Sequence, residues 1–136
     1  MLQSYSQNIA VPAVSSIPFN NNFEKGCAVV QTGAGSFQFN KKGLYIISFD
    51  ASAFATAAGG NIIVQLFRDG LADPGGLTEA ASTAAADIES LSFTTHVQVP
   101  CDNTCACNVA PTTVQIRNVG IAATFIQANV VITRLC

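Results

Sequence analysis

Three cysteines lie close together in Cys101-Asp-Asn-Thr-Cys105-Ala-Cys107. Their thiolates could bind a soft metal, since zinc accepts tetrahedral sulfur ligands. The familiar Cys-x-x-Cys spacing is missing, however, and no second pair of cysteines follows. One chain therefore offers too few good ligands, and a local Cys101–Cys105 disulfide or reduced thiols are the favoured interpretation. With Cys27 and Cys136 the total is five, so at least one thiol is unpaired within the chain.

His96 is the only histidine of the chain. It alternates with Ser92, Thr94 and Gln98, which predicts that it projects from the polar face of a strand. No nucleophile or carboxylate is predicted beside it, so a surface or subunit-contact role is favoured over catalysis. If copies of His96 approach one another in an oligomer, its protonation would make assembly sensitive to pH.

The carboxylates are dispersed along the chain and fall mostly in turns, where Asp stabilises the backbone. Asp69 and Asp73 bracket a glycine turn and could bind calcium together with backbone oxygens. No dense acidic loop supports a calcium site there, so turn formation is favoured. The sequence also lacks a Gly-x-Ser-x-Gly elbow, a phosphate loop and a dinucleotide-binding glycine pattern. We therefore expect neither an enzyme nor a cofactor.

Composition points to self-association. Charged residues make up only 10% of the 136 residues, against about 25% in an ordinary soluble domain. We expect other copies of the chain to cover part of its apolar surface. The net charge of −2 and six scattered basic residues give no footprint for nucleic acid. No apolar run has the length of a signal peptide or a membrane span, so we expect a soluble chain without a Sec signal.

The strand pattern is clearest in the segment 37–54, where a polar turn ending in Gly43 separates two runs. In the second run, Tyr45, Ile47 and Phe49 alternate with Leu44, Ile46 and Ser48, and we expect the first set to face the core. Further strands are predicted at 61–68, 91–99, 112–118 and 123–135. In the last of these, Ile126, Ala128, Val130 and Ile132 are expected inward, with Phe125 and Val131 outward.

Two segments are harder to interpret. Residues 77–90 have good helix propensity but lack a stripe of large apolar residues, so an extended conformation is favoured over a helix. Residues 1–16 contain Pro12 and are predicted to be an N-terminal arm or edge strand. Residues 17–136 then form one domain. Roughly eight to ten strands at this spacing indicate an antiparallel two-sheet sandwich.

The motif Phe39-x-x-x-Gly43-x-Tyr45-x-Ile47-x-Phe49 resembles the jelly-roll domain of tumour-necrosis-factor ligands and complement globular heads. The run 64–70 and the apolar final strand are similar to later parts of that pattern. The run 69–75 and the Ala/Thr-rich segment after it look like the C-terminal domain of collagen-like exosporium glycoproteins and related phage and bacterial surface proteins. The chain has no Gly-X-Y tract, so a collagen stalk is not expected.

The resemblance implies a trimer-forming jelly roll. In a trimer, Cys101, Cys105 and Cys107 of three chains could meet in an inter-subunit metal site or disulfide. We predict a non-enzymatic structural protein of a phage particle (capsid decoration, head fibre or tail appendage) or bacterial surface layer, contacting a capsid, tail or surface-layer protein through the N-terminal arm. The alternative is a receptor- or glycan-binding head of a fibre. The residues expected at subunit contacts are Leu44, Ile46, Ile63, Phe67, Phe125 and Val131.

Overall fold

The computed structural model describes residues 1–55, 57–100 and 112–135. These residues form strands, turns and loops in two antiparallel sheets that pack face to face. The predicted all-β, antiparallel two-sheet jelly-roll sandwich is confirmed. Within the same residues there is no helix long and apolar enough to cross a membrane.

The described part of the chain forms eleven strands. Their bounds are β1 Leu2–Val11, β2 Ser15–Ser16, β3 Asn21–Glu24, β4 Val29–Gly33, β5 Ser36–Phe39, β6 Gly43–Ala55, β7 Gly60–Arg68, β8 Leu71–Ser82, β9 Ile88–Val99, β10 Thr112–Asn118 and β11 Ala123–Arg134. One sheet has five strands in the order β3-β1-β11-β6-β9. The other has the order β4-β5-β10-β7-β8, with the short β2 beside β10.

The two strands of the central segment lie in different sheets, and β6 is arranged as the alternation predicts. Tyr45, Ile47 and Phe49 of β6 are buried between the sheets. Tyr45 packs against Phe39 with a ring-centroid distance of 4.7 Å, and Phe49 stacks on Phe93 of β9 at 5.3 Å. Such aromatic pairs contribute about 0.5–1.5 kcal/mol beyond the area that they bury. The segment is therefore a main part of the core.

Of the two alternatives predicted for residues 1–16, the arm is wrong, whereas the edge strand fits 6–11, which among the described strands pair with β11 alone. Strand β1 lies inside the five-stranded sheet, where it pairs with β11 along its length and with β3 over Leu2–Tyr5. Its inward side chains include the small polar Ser4 and Ser6, which are buried and hydrogen-bonded to Gln31 and to the carbonyl of Pro18. Because these inward residues are polar, the alternation along β1 was not visible as an apolar pattern. Attachment to a particle through a free arm is therefore no longer expected.

The outward orientation predicted for Phe125 is also wrong. Phe125 pairs with Ala53 of β6, but Gln127 pairs with Ser52, so β11 carries one extra residue at Ile126. This β-bulge shifts the alternation by one position. Phe125 therefore points into the core, where it is fully buried, together with Ala128, Val130 and Ile132.

The extended conformation favoured for residues 77–90 is confirmed. Strand β8 runs to Ser82, and β9 begins at Ile88 after a short turn. Residues 73–76 form a bulge inside β8, since Gln65 pairs with Leu77 while Leu66 pairs with Asp73. The bulge requires Gly76, because a Cβ atom there would lie 2.5 Å from Cβ of Leu66.

Candidate assembly surfaces

The predicted subunit contacts lie on opposite sides of the sandwich. Leu44, Ile46 and Val131 point outward from the five-stranded sheet, and Ile63 and Phe67 point outward from the six-stranded sheet. All five side chains are half-buried in the single chain. The sixth predicted contact, Phe125, is buried in the core, as described above. The five outward residues therefore form two separate surfaces and not one patch.

The outer face of the five-stranded sheet is apolar in one half. Cross-strand pairing places Phe23 of β3, Gln3 of β1 and Val131 of β11 in one row. Ile46 lies in the next row, and Leu44 lies beyond it on β6. Phe23 is 57% exposed. We call the set Phe23, Leu44, Ile46 and Val131 the apolar half of this face.

The same face is polar in the middle of β6, before apolar side chains return at the end of the strand. Asp50 and Ser52 line an open depression of about 320 Å³ with Ser92 of β9 and Gln127 of β11. Tyr5 of β1 lies in the same cross-strand row as Asp50 and is 42% exposed. The depression therefore offers a carboxylate, hydroxyls, an amide and a nearby aromatic ring. These groups suit hydrogen bonding to a polar ligand better than burial against an apolar one.

His96 is exposed on the outer side of β9, as the strand pattern predicts. Its cross-strand partner is Ile46 of β6, so it stands at the border of the apolar half. In the described residues no group of three or more His, Cys, Asp or Glu side chains could hold a metal ion. Within this part of the chain, His96 therefore belongs to no such metal-binding group.

The carboxylates at predicted turns bind backbone groups. Asp69 Oδ1 accepts a hydrogen bond of 2.9 Å from the N–H of Thr113, and Asp73 Oδ1 accepts one of 2.9 Å from Gly75. Asp69 has φ of 50°, followed by Gly70 at 83°, which is the backbone of a tight hairpin turn. Asp69 thus stabilises a turn, as the sequence favoured, whereas Asp73 stabilises the bulge inside β8.

Glu24 ties the edges of the two sheets together. Its Oε1 atom accepts a 2.8 Å hydrogen bond from the Gln31 N–H of β4 and a 2.7 Å hydrogen bond from Nδ2 of Asn22. These two bonds, the backbone one first, lower the pKa of the Glu24 carboxyl below its ordinary 4.5, while desolvation acts weakly in the opposite direction. The ionised carboxylate therefore stabilises this edge.

Only one of the five cysteines falls among the described residues. Cys27 is exposed and its thiol is free. Cys101, Cys105 and Cys107 lie outside the described residues, as does Cys136. The predicted inter-subunit metal or disulfide site therefore stays a prediction.

Two further residues of the outer face were missed by the sequence reasoning. Tyr5 was assigned to an arm or edge strand, and no strand was predicted around Phe23, where the structure has β3. The sequence signal for Tyr5 was the alternation of residues along β1. It was hidden because two of the buried positions carry the polar residues Ser4 and Ser6. These exposed aromatic residues, one inside the apolar half and one beside the polar depression, extend the surface that an assembly could cover.

Searches for similar proteins identify the fold. No protein-family model matches the chain, and no curated protein matches it. The globular domain of zebrafish complement 1qA protein is 11% identical with a TM-score of 0.72, over 99% of this chain and 96% of that one. Eiger TNF from S. frugiperda is 10% identical with a TM-score of 0.65, over 98% and 92%. PRD1 vertex protein P5 is 14% identical with a TM-score of 0.55, over 99% and 96%.

These similarities extend over nearly the whole chain, so they establish the fold. Because the sequence identities are very low, they establish the fold alone. The chain has the jelly roll of the tumour-necrosis-factor and complement globular-head type, as the central motif predicted. The resemblance to exosporium glycoproteins stays a prediction.

Proposed function

We propose that this protein is a non-enzymatic structural protein that assembles as a homotrimer through the outer face of its five-stranded sheet. The observation that carries the proposal is the apolar half, where Leu44, Ile46 and Val131 occupy outward positions beside exposed Phe23. Alternation in a solvated antiparallel sheet normally places polar side chains there. Burial of such side chains contributes about 25 cal/mol per Å² of apolar surface, which favours association.

The trimer number comes from the resemblance of the central motif to a trimer-forming jelly roll. In a three-fold ring each contact joins two different patches of neighbouring chains, so the apolar half of one chain would pack against another part of its neighbour's surface. Charged residues make up only 10% of the sequence, which favours a stable assembly over a monomer in solution.

The proposed setting is the surface of a phage particle or a bacterial cell or spore. One solved structure with this fold is described as a vertex protein, that of PRD1, which supports a position on a particle. The contact with the particle would pass through surfaces that the trimer leaves open, since the N-terminal segment is paired within the sheet.

Native mass spectrometry of the wild type tests the proposal, and the expected mass is three chains. Ile46→Glu places a carboxylate in the apolar half and is expected to yield monomers. Gln38→Glu is the matched control, because it adds the same group to the outer side of the other sheet and should leave three chains together. A monomeric wild type, or equal masses for both variants, would refute the proposed interface.

The second candidate is a receptor- or glycan-binding head of a fibre. The polar depression around Asp50 favours it, because carboxylates and hydroxyls hydrogen-bond sugar hydroxyls while an aromatic ring nearby can pack on a sugar face. Glycan-array binding that Asp50→Asn removes without changing the native mass would support this function. An array without a binding glycan would count against it.

A further inference from the structure

The polar depression on the outer face of the five-stranded sheet is lined by short side chains. Ser52 of β6 pairs with Ser90 of β9, and Asp50 pairs with Ser92 in the neighbouring row. Because the three serine side chains are short, the space above them stays open, with a volume of about 320 Å³. This volume lies at the lower end of the range of about 300–1,000 Å³ that is usual for small-molecule sites.

The β-bulge of β11 directs Gln127 into this depression. Phe125 points into the core, so strict alternation would direct Gln127 inward as well. The extra residue at Ile126 reverses the phase, and Gln127 is therefore exposed opposite Ser52. Bulges often redirect a side chain beside a functional site. The amide of Gln127 adds a hydrogen-bond donor and an acceptor to the groups that line the depression.

An aromatic side chain borders the depression toward the end of β6. Phe54 follows Ser52 by two residues, so it projects from the same face about 7 Å along the strand. Phe54 is half-buried, and its cross-strand partner on β9 is Ile88, which is 65% exposed. The depression therefore has hydrogen-bonding groups at its centre and an apolar border at one end.

The depression carries a single charge. Among the described residues that line it, Asp50 is the only ionisable one, and no Lys or Arg stands beside it there. An ionised carboxylate only accepts hydrogen bonds, so it suits a ligand that supplies hydroxyl donors. An anionic ligand would meet Asp50 without a cation to offset the repulsion. The charge pattern therefore favours a neutral ligand.

We propose that the depression binds a neutral sugar, an inference that rests on the second candidate function and not on the trimer. A sugar ring combines adjacent hydroxyls with an apolar face of C–H groups, which matches the two parts of the depression. The hydroxyls bind Asp50, the serines and Gln127, and the C–H face packs on the Phe54 ring. Asp50 then also excludes acidic sugars, because their carboxylates meet its charge.

The apolar half takes no part in this site. Ile46 precedes Asp50 by four residues on β6, which separates the two by about 13 Å along the strand. Substitutions in the depression should therefore leave the native mass unchanged. This independence allows sugar binding and self-association to be measured separately.

A glycan array that pairs neutral oligosaccharides with their sialylated counterparts tests the inference. The wild type is expected to bind neutral members and to leave their sialylated counterparts unbound. The neutral member with the strongest signal then serves as the probe for titration calorimetry. Asp50→Asn keeps the shape of the side chain but removes its charge. It should weaken binding of this probe at least about tenfold and reduce the discrimination against the sialylated counterpart.

A second variant and a control locate the sugar within the depression. Phe54→Leu keeps an apolar side chain but removes the ring, and it should weaken the same probe about threefold to tenfold. Asp87→Asn makes the same change as Asp50→Asn in the exposed turn between β8 and β9, and it should bind as the wild type does. All three variants should keep the wild-type native mass.

The outcomes distinguish this inference from the second candidate function. If the wild type binds glycans and both Asp50→Asn and Phe54→Leu bind as tightly, that function stands and the site is wrong. Equal binding of neutral and sialylated members would also overturn the inference. A wild type that binds no glycan refutes the function and the inference together. Should Phe54→Leu fail to fold, an amide NMR titration of the wild type decides: the Ser90, Ser92 and Gln127 signals must shift with the probe, and shifts confined to other residues would refute the site.

Discussion

The two sides of β6 should respond differently to substitution, because Tyr45 and Leu44 are neighbours that point in opposite directions. Tyr45 is fully buried, its ring packs on Phe39, and its hydroxyl donates a 2.6 Å hydrogen bond to the carbonyl of Lys41. Replacement of a buried aromatic residue by Ala costs about 3–5 kcal/mol. Lys41 is exposed, so water can hydrogen-bond its carbonyl in the variant. The lost hydrogen bond therefore adds no further cost in stability.

For a chain of this size, that loss lowers the melting temperature of Tyr45→Ala by about 10–17 °C. Leu44→Asp acts differently, since its side chain is half-buried at the outer face and a carboxylate there stays in water in the monomer. The cost to the monomer is about 1 kcal/mol. In the proposed trimer the same carboxylate would be buried unpaired, which costs several kcal/mol and prevents assembly.

Thermal unfolding over a series of protein concentrations separates the two effects. Binding of native chains to one another makes the melting temperature rise with concentration. Tyr45→Ala should keep this slope and melt lower at every concentration, whereas Leu44→Asp should lose the slope. If both variants lose equal stability at low concentration with the slope intact, the assignment of the two faces of β6 is wrong.

Three other predictions concern separate parts of the chain. Glu24 has a lowered pKa, so its stabilising effect is present above the unfolded pKa of about 4.5 and is lost as pH falls through the lower folded pKa. Between those two pH values, Glu24→Gln should make the urea midpoint of unfolding less dependent on pH. Burial raises the pKa of Tyr45 above 10.0, so stability should fall as pH rises beyond 10, and Tyr45→Phe should remove this alkaline loss in the same assay. Gly120→Ala should cost about 1–3 kcal/mol in denaturant unfolding, because a Cβ atom would collide with the backbone oxygen of Asn61; an unchanged midpoint would contradict the close approach.

The sequence predicts most of the core correctly, because side chains in β6 and β9 alternate between large apolar and polar residues. Leu91, Phe93, Val97 and Val99 are all buried, as their spacing indicates. In β1 two inward positions hold Ser4 and Ser6, which stabilise the sheet through hydrogen bonds. Hydrophobic periodicity does not detect buried polar residues of this kind.

The candidate surfaces could be predicted only in part. Alternation tells which side chains of one strand point outward, but it does not tell which sheet the strand joins. Ile46 and Ile63 therefore looked equivalent, although they lie on opposite sides of the sandwich. The grouping of Asp50 with Ser92 and Gln127 likewise depends on strand order, which arises from contacts between distant parts of the chain.

The bulge at Ile126 has a consequence for comparison with other sequences. On its two sides, β11 follows two phases of alternation, with Phe125 inward before the bulge and Ala128 inward after it. A relative without the bulge would align along the whole strand only with a one-residue gap at Ile126. In an alignment without this gap, the inward positions on one side of the bulge would be matched with outward positions of the relative. Distant relatives are therefore better sought with a deletion allowed at this position.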